Sequence, residues 1–221
     1  MSVRVWDLPT RAFHWALAAC VIGSVVTARV GGNALVWHMR IGYVVFTLLV
    51  FRCLWGLVGG RWSRFASFIY SPGAVLRYLK GASGPGEHHE VGHNPLGALS
   101  VFGLLAILAV QVATGLFADD EIATTGPFNK FVATATGLAL TGWHKGWGQW
   151  LIITLVLLHI AAIVYYLVRR KRNLVPPMLT GDKPLPPGVP ASADGGGARL
   201  LAAVLVALCG AGVAWLVSLG G

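Results

Sequence analysis

Histidines inside long apolar segments are the residues of this chain most able to do chemistry. Residues 142–172 read GWHKGWGQWLIITLVLLHIAAIVYYLVRRKR, and His144 and His159 stand fifteen positions apart in that run. On a helix that rises ~1.5 Å and turns ~100° per residue, the two imidazoles lie roughly 22 Å apart along the axis and about 60° apart around it. They therefore face the same way and lie toward opposite surfaces of a bilayer.

Two further histidines match this pair in depth. His14 begins the first apolar segment on one side of the membrane, and His38 begins the second on the other side. In an antiparallel four-helix bundle, His14 can meet His159 and His38 can meet His144. Imidazoles from facing helices, with apolar walls between them, are the axial ligands that a b-type haem requires. Because the chain has no C-x-x-C-H motif, we predict two b haems held by ligation alone.

A histidine in a membrane helix can also act only as a hydrogen-bonding group between helices. Four histidines matched in depth two by two favour haem ligation, since an ionisable group inside a membrane marks a functional site by default. A haem-free channel or transporter is the alternative outside electron transfer. It predicts a colourless protein, whereas ligation predicts a reduced b-type absorbance band.

The composition is that of an integral membrane protein. Hydrophobic residues make up 56% of the chain and charged residues 11%, against roughly 25% charged in a soluble domain. Five apolar stretches are long enough to cross ~30 Å of hydrocarbon as helices: 12–30, 38–58, 96–117, 146–168 and 199–219. We interpret the first as a retained span, not as a signal peptide, because no cleavage-site pattern follows it.

The positive charges predict an orientation. With the N-terminus inside, twelve Lys and Arg residues fall in cytoplasmic segments and four in outer loops, which is the bias that sets topology. We therefore expect a multi-pass protein of the bacterial inner membrane, with a cytoplasmic N-terminus and a periplasmic C-terminus. The same bias explains the net charge of +9, so we predict the lipid bilayer and no nucleic acid as its partner.

The chain divides into three parts by composition. Residues 1–172 carry the four spans and all the histidines of interest, and we predict for them an all-α, antiparallel four-helix bundle that holds two b haems. Residues 173–198 are rich in Pro and Gly, which indicates an extended, semi-flexible linker without a core of its own. Residues 199–221 then form an accessory fifth membrane helix, loosely tethered and without chemistry.

Arginines near the histidines are candidates for binding the haem propionates. Arg52 lies fourteen residues after His38, at the depth of the His14 and His159 pair. An unpaired cation there is costly, so we expect a propionate as its partner, with extension of the side chain to the inner surface as the alternative. Arg40 and also Arg29 are the corresponding candidates for the outer haem.

Three histidines remain in the segment EHHEVGH, which includes His88, His89 and His93. Helical spacing would make it a metal site, but its Gly-rich surroundings favour a solvated loop. His93 borders the third span and could give a proton or a hydrogen bond to a quinone at the inner surface.

The motifs together resemble those of the bacterial cytochrome b561 group, which includes the cytochrome b subunits of nickel-iron hydrogenases. The matching pieces cover residues 3 to about 168 and read, in chain order, VWDLPTRAFHW, WHMRIGY, RCLWGLVGG, GHNPLGA, TGLFADDE and GWHKGWGQW with LLHIAAIVYY. The resemblance implies a four-helix core with two b haems on His14, His38, His144 and His159. The linker and the fifth helix lie outside that core.

The histidine pattern favours electron transfer through haem, and the resemblance implies that the electrons cross the membrane between the quinone pool and a redox partner protein. That partner would be a c-type cytochrome or an oxidoreductase subunit. Two alternatives stay open: a membrane-anchor cytochrome b subunit of a hydrogenase-like or other oxidoreductase complex, and a superoxide:quinone oxidoreductase. Either role is compatible with an oligomer.

Overall fold

A computed structural model describes residues 1–82, 91–122 and 124–220 of the chain. Five helices in it are long and apolar enough to cross a membrane, which confirms the five predicted spans and a multi-pass, helical membrane protein. They are α1 (Leu8–Val30), α2 (Ala34–Val58), α4 (Pro95–Leu116), the segment Thr134–Arg169 and α8 (Gly196–Ser218). A short helix, α3 (Pro72–Leu79), lies between α2 and α4.

Local capping sets where two of the spans begin. The Asp7 carboxylate accepts a hydrogen bond of 2.8 Å from the Thr10 amide, so α1 starts at Leu8 and not at residue 12 as predicted. The side-chain oxygen of Asn94 accepts one of 2.8 Å from the Gly97 amide, and Pro95 occupies the first position of α4. An oxygen-bearing cap followed by proline satisfies the free amides of a first helical turn.

The fourth span is longer than predicted and is not a uniform α-helix. It begins as α5 (Thr134–Trp143), continues as a π-helical turn over His144–Gly148, and ends as α6 (Gln149–Arg169). The predicted span of 146–168 missed the first turns because Thr134–Trp143 contains glycine and threonine among its apolar residues. Single π turns inside α-helices occur frequently at functional sites.

The chain forms two compact units. Unit 1 comprises Met1–Ala12, Arg52–Gly103 and Leu157–Ala203, and unit 2 comprises Phe13–Phe51, Leu104–Val156 and Val204–Gly221. The core of unit 2 is aliphatic, with Val45 and Leu49 of α2 packed with Leu108 of α4 and Ile152 of α6. Unit 2 also contains a groove in which Tyr43 and Thr47 of α2 face Val213 of α8.

Unit 1 contains a two-stranded antiparallel sheet. Strand β1 (Ser2–Arg4) pairs with β2 (Asp182–Pro184), and the short helix α7 (Val175–Thr180) precedes β2. Val5, Trp6 and Val91 form the buried centre of this region. Met178, Leu185 and Val189 pack against them.

This arrangement corrects the prediction for residues 173–198. We expected a linker without a core of its own, but the segment pairs with the first strand and contributes apolar side chains to a core. Its Asp194 carboxylate also contacts Arg4 and, at 3.2 Å, Arg199. The Pro and Gly content indicated an irregular backbone correctly, but it could not show that a strand 178 residues away would pair with it.

Candidate functional site

Two of the predicted ligands, His38 and His144, face each other in unit 2. His38 lies in the first turns of α2, and His144 opens the π turn of the fourth span. Their ring centroids are 6.0 Å apart and their planes are perpendicular. Two imidazole–metal bonds of about 2 Å, with roughly 1 Å from each bonded nitrogen to its ring centre, add up to a separation of this size. The spacing therefore suits two imidazoles that share one metal ion.

The second nitrogen of each ring is fixed by the backbone. His38 Nδ1 lies 2.9 Å from the carbonyl oxygen of Ser24, and His144 Nδ1 lies 2.9 Å from that of Gln111. A carbonyl oxygen can only accept, so each Nδ1 carries the proton. Both Nε2 atoms are then left with a lone pair. Metal-ligating histidines are held in this way, because the outer hydrogen bond sets both tautomer and orientation.

Close backbone approach surrounds the His144 ring. A Cβ at Gly115 of α4 would lie 2.9 Å from His144 Cε1, so the ring occupies the space that any side chain would fill. Within the π turn, a Cβ at Gly148 would lie 2.1 Å from Gln111 Oε1. The Gln111 amide in turn donates a hydrogen bond of 3.0 Å to the carbonyl oxygen of His144. The two glycines thus allow α4 to support the π turn directly.

The histidine pair lines a cavity of about 420 Å³ within unit 2. Most of its wall is aliphatic, including Val21, Leu108 and Ile152. Its size is within the usual range for small-molecule and cofactor sites. An apolar cavity with two inward imidazole nitrogens and no cysteine among its lining residues fits a non-covalent b-type haem, which His38 and His144 would hold.

The other predicted ligands, His14 and His159, belong to different units. His14 lies in α1 in unit 2, where its ring meets the edge of Trp15 at 5.0 Å between centroids. His159 lies in α6 in unit 1, with its Nδ1 3.4 Å from the Ser100 hydroxyl. The pairing of His14 with His159 stays a prediction.

Arg52 is buried in unit 1, with 3% of its surface exposed. Its Nη2 donates a hydrogen bond of 3.0 Å to the carbonyl oxygen of Ser63, and its guanidinium lies 4.6 Å over the Phe65 ring. Within the described residues, the buried Nη1 has no hydrogen-bond partner. The side chain does not extend to the surface, as the alternative prediction required, and one of its donors is available to a bound anion.

Arg40 and Arg29 do not lie among the residues that line the cavity. The guanidinium of Arg40 stacks 5.0 Å over the ring of Trp37, and that of Arg29 lies 5.9 Å over the ring of Trp150. Both guanidiniums are thus engaged in cation–π contacts with tryptophan. The geometry therefore does not bring either arginine to the histidine pair of unit 2.

His93 lies in an aromatic environment in unit 1. Its ring centroid is 4.7 Å from that of Trp6 and 4.5 Å from that of Phe68, and the Tyr70 hydroxyl donates a hydrogen bond to its carbonyl oxygen. His88 and His89 lie outside the described residues. Among the residues that are described, no three His, Cys, Asp or Glu side chains form a group that could hold a metal ion.

A family model described as Prokaryotic cytochrome b561 matches residues 5–181, which is most of the chain and includes all four predicted haem ligands. This chain belongs to the prokaryotic cytochrome b561 family. As a member, it is a membrane cytochrome b: a helical membrane protein of electron transfer that uses b-type haem. The resemblance found in the sequence motifs is confirmed.

Curated relatives of this family member are named as hydrogenase subunits. The "Probable Ni/Fe-hydrogenase 1 B-type cytochrome subunit" of Escherichia coli (strain K12) is 25% identical over 72% of this chain and 81% of its own length. Subunits named "Probable Ni/Fe-hydrogenase B-type cytochrome subunit" from Bradyrhizobium diazoefficiens and Cupriavidus necator are 23% and 25% identical, over 82% and 81% of this chain and 86% of their own lengths. No solved structure gives a significant match.

Sequence reasoning missed a buried carboxylate in unit 1 of this cytochrome. Asp7 is fully buried and accepts hydrogen bonds of 2.6 Å from the Ser63 hydroxyl and 3.2 Å from Trp55 Nε1. The Thr10 hydroxyl donates to Ser63 Oγ at 2.7 Å. A lone Asp before an apolar run signals a helix cap, but its partners from α2 and the turn that follows could not be read from that signal.

Proposed function

We propose that this chain conducts electrons across the bacterial inner membrane through two b haems, between the quinone pool and a redox partner protein. His38 and His144 would hold one haem, and His14 and His159 the other. The observation that carries the proposal is the 6.0 Å, perpendicular pairing of His38 and His144. Bound between such imidazoles, haem iron takes up and releases single electrons. The polypeptide sets its potential through ligation, burial and hydrogen bonding.

Spacing along the fourth span supports the second haem. His144 and His159 stand fifteen residues apart in one continuous 36-residue helical segment, so they serve two sites at different depths. The burial of Arg52 supports it further, because its Nη1 is a buried donor without a partner among the described residues. Arg52 would bind a propionate of the haem at His159, which lies in the same unit.

The polypeptide's task in this function is to keep two sites at fixed depths and to exclude water from them. Ser24 and Gln111 keep the His38 and His144 rings in the tautomer that presents Nε2. The aliphatic lining keeps polar molecules away from the metal. Orientation follows the charge bias: the N-terminus would be cytoplasmic, so His38 and His144 would lie toward the periplasm.

A second candidate is that the chain anchors a hydrogenase-like oxidoreductase to the membrane and transfers electrons only within that complex. The names of its curated relatives favour this assignment. Affinity purification of the chain from mildly solubilised native membranes separates the two roles. An anchor subunit brings a metalloenzyme with it in fixed stoichiometry, whereas an independent conduit is purified without one and still reduces or oxidises added quinone.

Haem content tests the proposal directly. A pyridine haemochrome assay on the purified full chain should give about two non-covalent b haems per polypeptide, because four axial imidazoles serve two irons. Replacement of His38 or His144 by alanine should remove one haem, and replacement of His14 or His159 should remove the other. A single haem in the unsubstituted chain would show that one pair is assigned wrongly.

A further inference from the structure

Charged side chains are rare in the lining of the cavity around His38 and His144. Among the described lining residues, only Lys145 and Asp120 carry a formal charge. A b haem has an apolar ring and two propionate carboxylates, so a site that holds it needs cationic or hydrogen-bonding groups where the carboxylates lie. The distribution of these two charges therefore bears on how a haem would be oriented.

Asp120 is already occupied by its own loop. Its Oδ1 accepts hydrogen bonds of 3.0 Å from the Ile122 amide and 2.8 Å from the Thr124 amide. These bonds close a local turn and fix the carboxylate at the wall of the cavity. A propionate placed beside it would meet a like charge, so this side of the lining disfavours the acidic edge of the ring.

Lys145 is placed differently. It follows His144 directly in the π turn, and Gln149 is the first residue of α6, four positions further along. Both line the cavity. Within the described ranges, no ion pair to Lys145 is found. The ammonium is thus the cation nearest in sequence to a ligand and is not committed to a protein carboxylate.

We propose that Lys145 binds a propionate carboxylate of the haem that His38 and His144 would hold, with the Gln149 amide as an adjacent donor. The inference rests on the proposed function of this pair. It replaces the prediction from sequence that Arg40 has this role, since Arg40 stacks on Trp37 and lies outside the cavity lining. A fixed positive charge near the iron favours the reduced haem, which carries one positive charge less, so Lys145 raises the midpoint potential.

Equilibrium redox titration of the b absorbance band of the purified full chain tests this assignment. The titration should show one transition for each haem, and the transition that disappears in the His144→Ala variant belongs to the haem of this pair. Lys145→Gln should lower the midpoint potential of this haem by up to about 59 mV. For a one-electron couple, that shift corresponds to a tenfold change in the equilibrium constant of reduction. Lys145→Arg should preserve the midpoint, and Asp120→Asn should raise it. Because Lys145 is exposed, the effect should shrink at high salt.

The matched control is Arg40→Gln, which removes a cation that stacks on Trp37 and does not line the cavity. The inference is overturned if Lys145→Gln keeps its full haem content and has the midpoint potential of the unsubstituted chain. It is also overturned if Arg40→Gln lowers the midpoint potential and Lys145→Gln does not. Loss of haem in Lys145→Gln with retention in Lys145→Arg supports it, because the charge is then required for binding. If His38→Ala and His144→Ala both keep the full haem content, the proposed function of the pair fails instead.

Discussion

The two units of this chain surround their polar side chains in different ways. In unit 2, His38 and His144 have one nitrogen bound to the backbone and the other left available beside a cavity of about 420 Å³. In unit 1, the Asp7 carboxylate accepts three hydrogen bonds and is closed from solvent. The first arrangement suits the proposed ligand site, and the second is that of a structural hydrogen-bond network. Burial of a polar group alone does not distinguish them; a cavity beside the unused lone pair does, and only the two histidines have one.

The largest expected effect tests the ligand role that we propose for the histidine pair in unit 2. His38→Ala or His144→Ala should remove about one haem per chain, since a single axial imidazole leaves the iron open on one side. The haemochrome assay measures the loss. His93→Ala is the control, because His93 packs between the rings of Trp6 and Phe68 in unit 1. If His93→Ala lost a haem while the other two variants kept it, the contrast between the units would be reversed.

A second test addresses the hydrogen-bond network around Asp7 in unit 1. Asp7→Ala leaves the Trp55 indole, the Thr10 amide and the Ser63 hydroxyl without their acceptor, and we expect it to lower the free energy of unfolding by about 3 kcal/mol. Thermal unfolding in detergent measures the change. Asp7→Asn, which keeps one acceptor oxygen, should fall between the alanine variant and the unsubstituted chain. Variant protein that remains folded should keep the haem of unit 2, and loss of that haem would refute a purely structural role.

A third test concerns the close contact between Gly115 of α4 and the His144 ring beside the cavity. Gly115→Ala places a methyl group 2.9 Å from His144 Cε1, so the ring must move or the helices must separate, at a cost of about 1–2 kcal/mol. We expect haem to dissociate roughly tenfold faster from this variant, measured by transfer to apomyoglobin. Gly103→Ala in the same helix has open space around its Cβ and should release haem at the unsubstituted rate.

The smallest expected effect concerns pH and unit 1. Burial alone would raise the pKa of Asp194, but hydrogen bonds from Arg199, the Leu8 amide and Arg4 together hold it below the ordinary value of 3.8. A depressed pKa in the folded state adds stability above the unfolded pKa, and this stability is lost as the pH falls through the folded value. Asp194→Asn should therefore lower Tm at pH 6, and the difference from the unsubstituted chain should narrow as the pH falls below 3.8 and through the folded pKa. Glu121→Gln, at an exposed loop position, should show no such convergence.

The spans and the pairing of His38 with His144 could be predicted from sequence, because both depend on local periodicity and on the position of each histidine within its span. Each apolar run ends within a few residues of its predicted limit, apart from the start of the fourth span. The π turn at His144 was not predictable, since π geometry depends on packing such as that of Gly148 against Gln111. Nor could sequence show that Lys145 lines the cavity while Arg40 stacks on Trp37, because both depend on side-chain conformation.

The sheet of unit 1 could not be predicted for another reason. Its strands are three residues each, too short to show an alternating pattern, and they are stabilised by contacts between distant parts of the chain. Arg4 illustrates this, because it contacts both Asp182 and Asp194. A linker composition therefore describes the backbone of residues 173–198 without revealing its partners.

The pairing of β1 with β2 has a consequence for biosynthesis. Arg4 leaves the ribosome 178 residues before Asp182, and at about 5–20 residues per second this delay is roughly 10–40 s. During that interval the first strand has no partner, and the four membrane spans that separate the two strands are translated. This small sheet can therefore form only after all four of those spans have been synthesised.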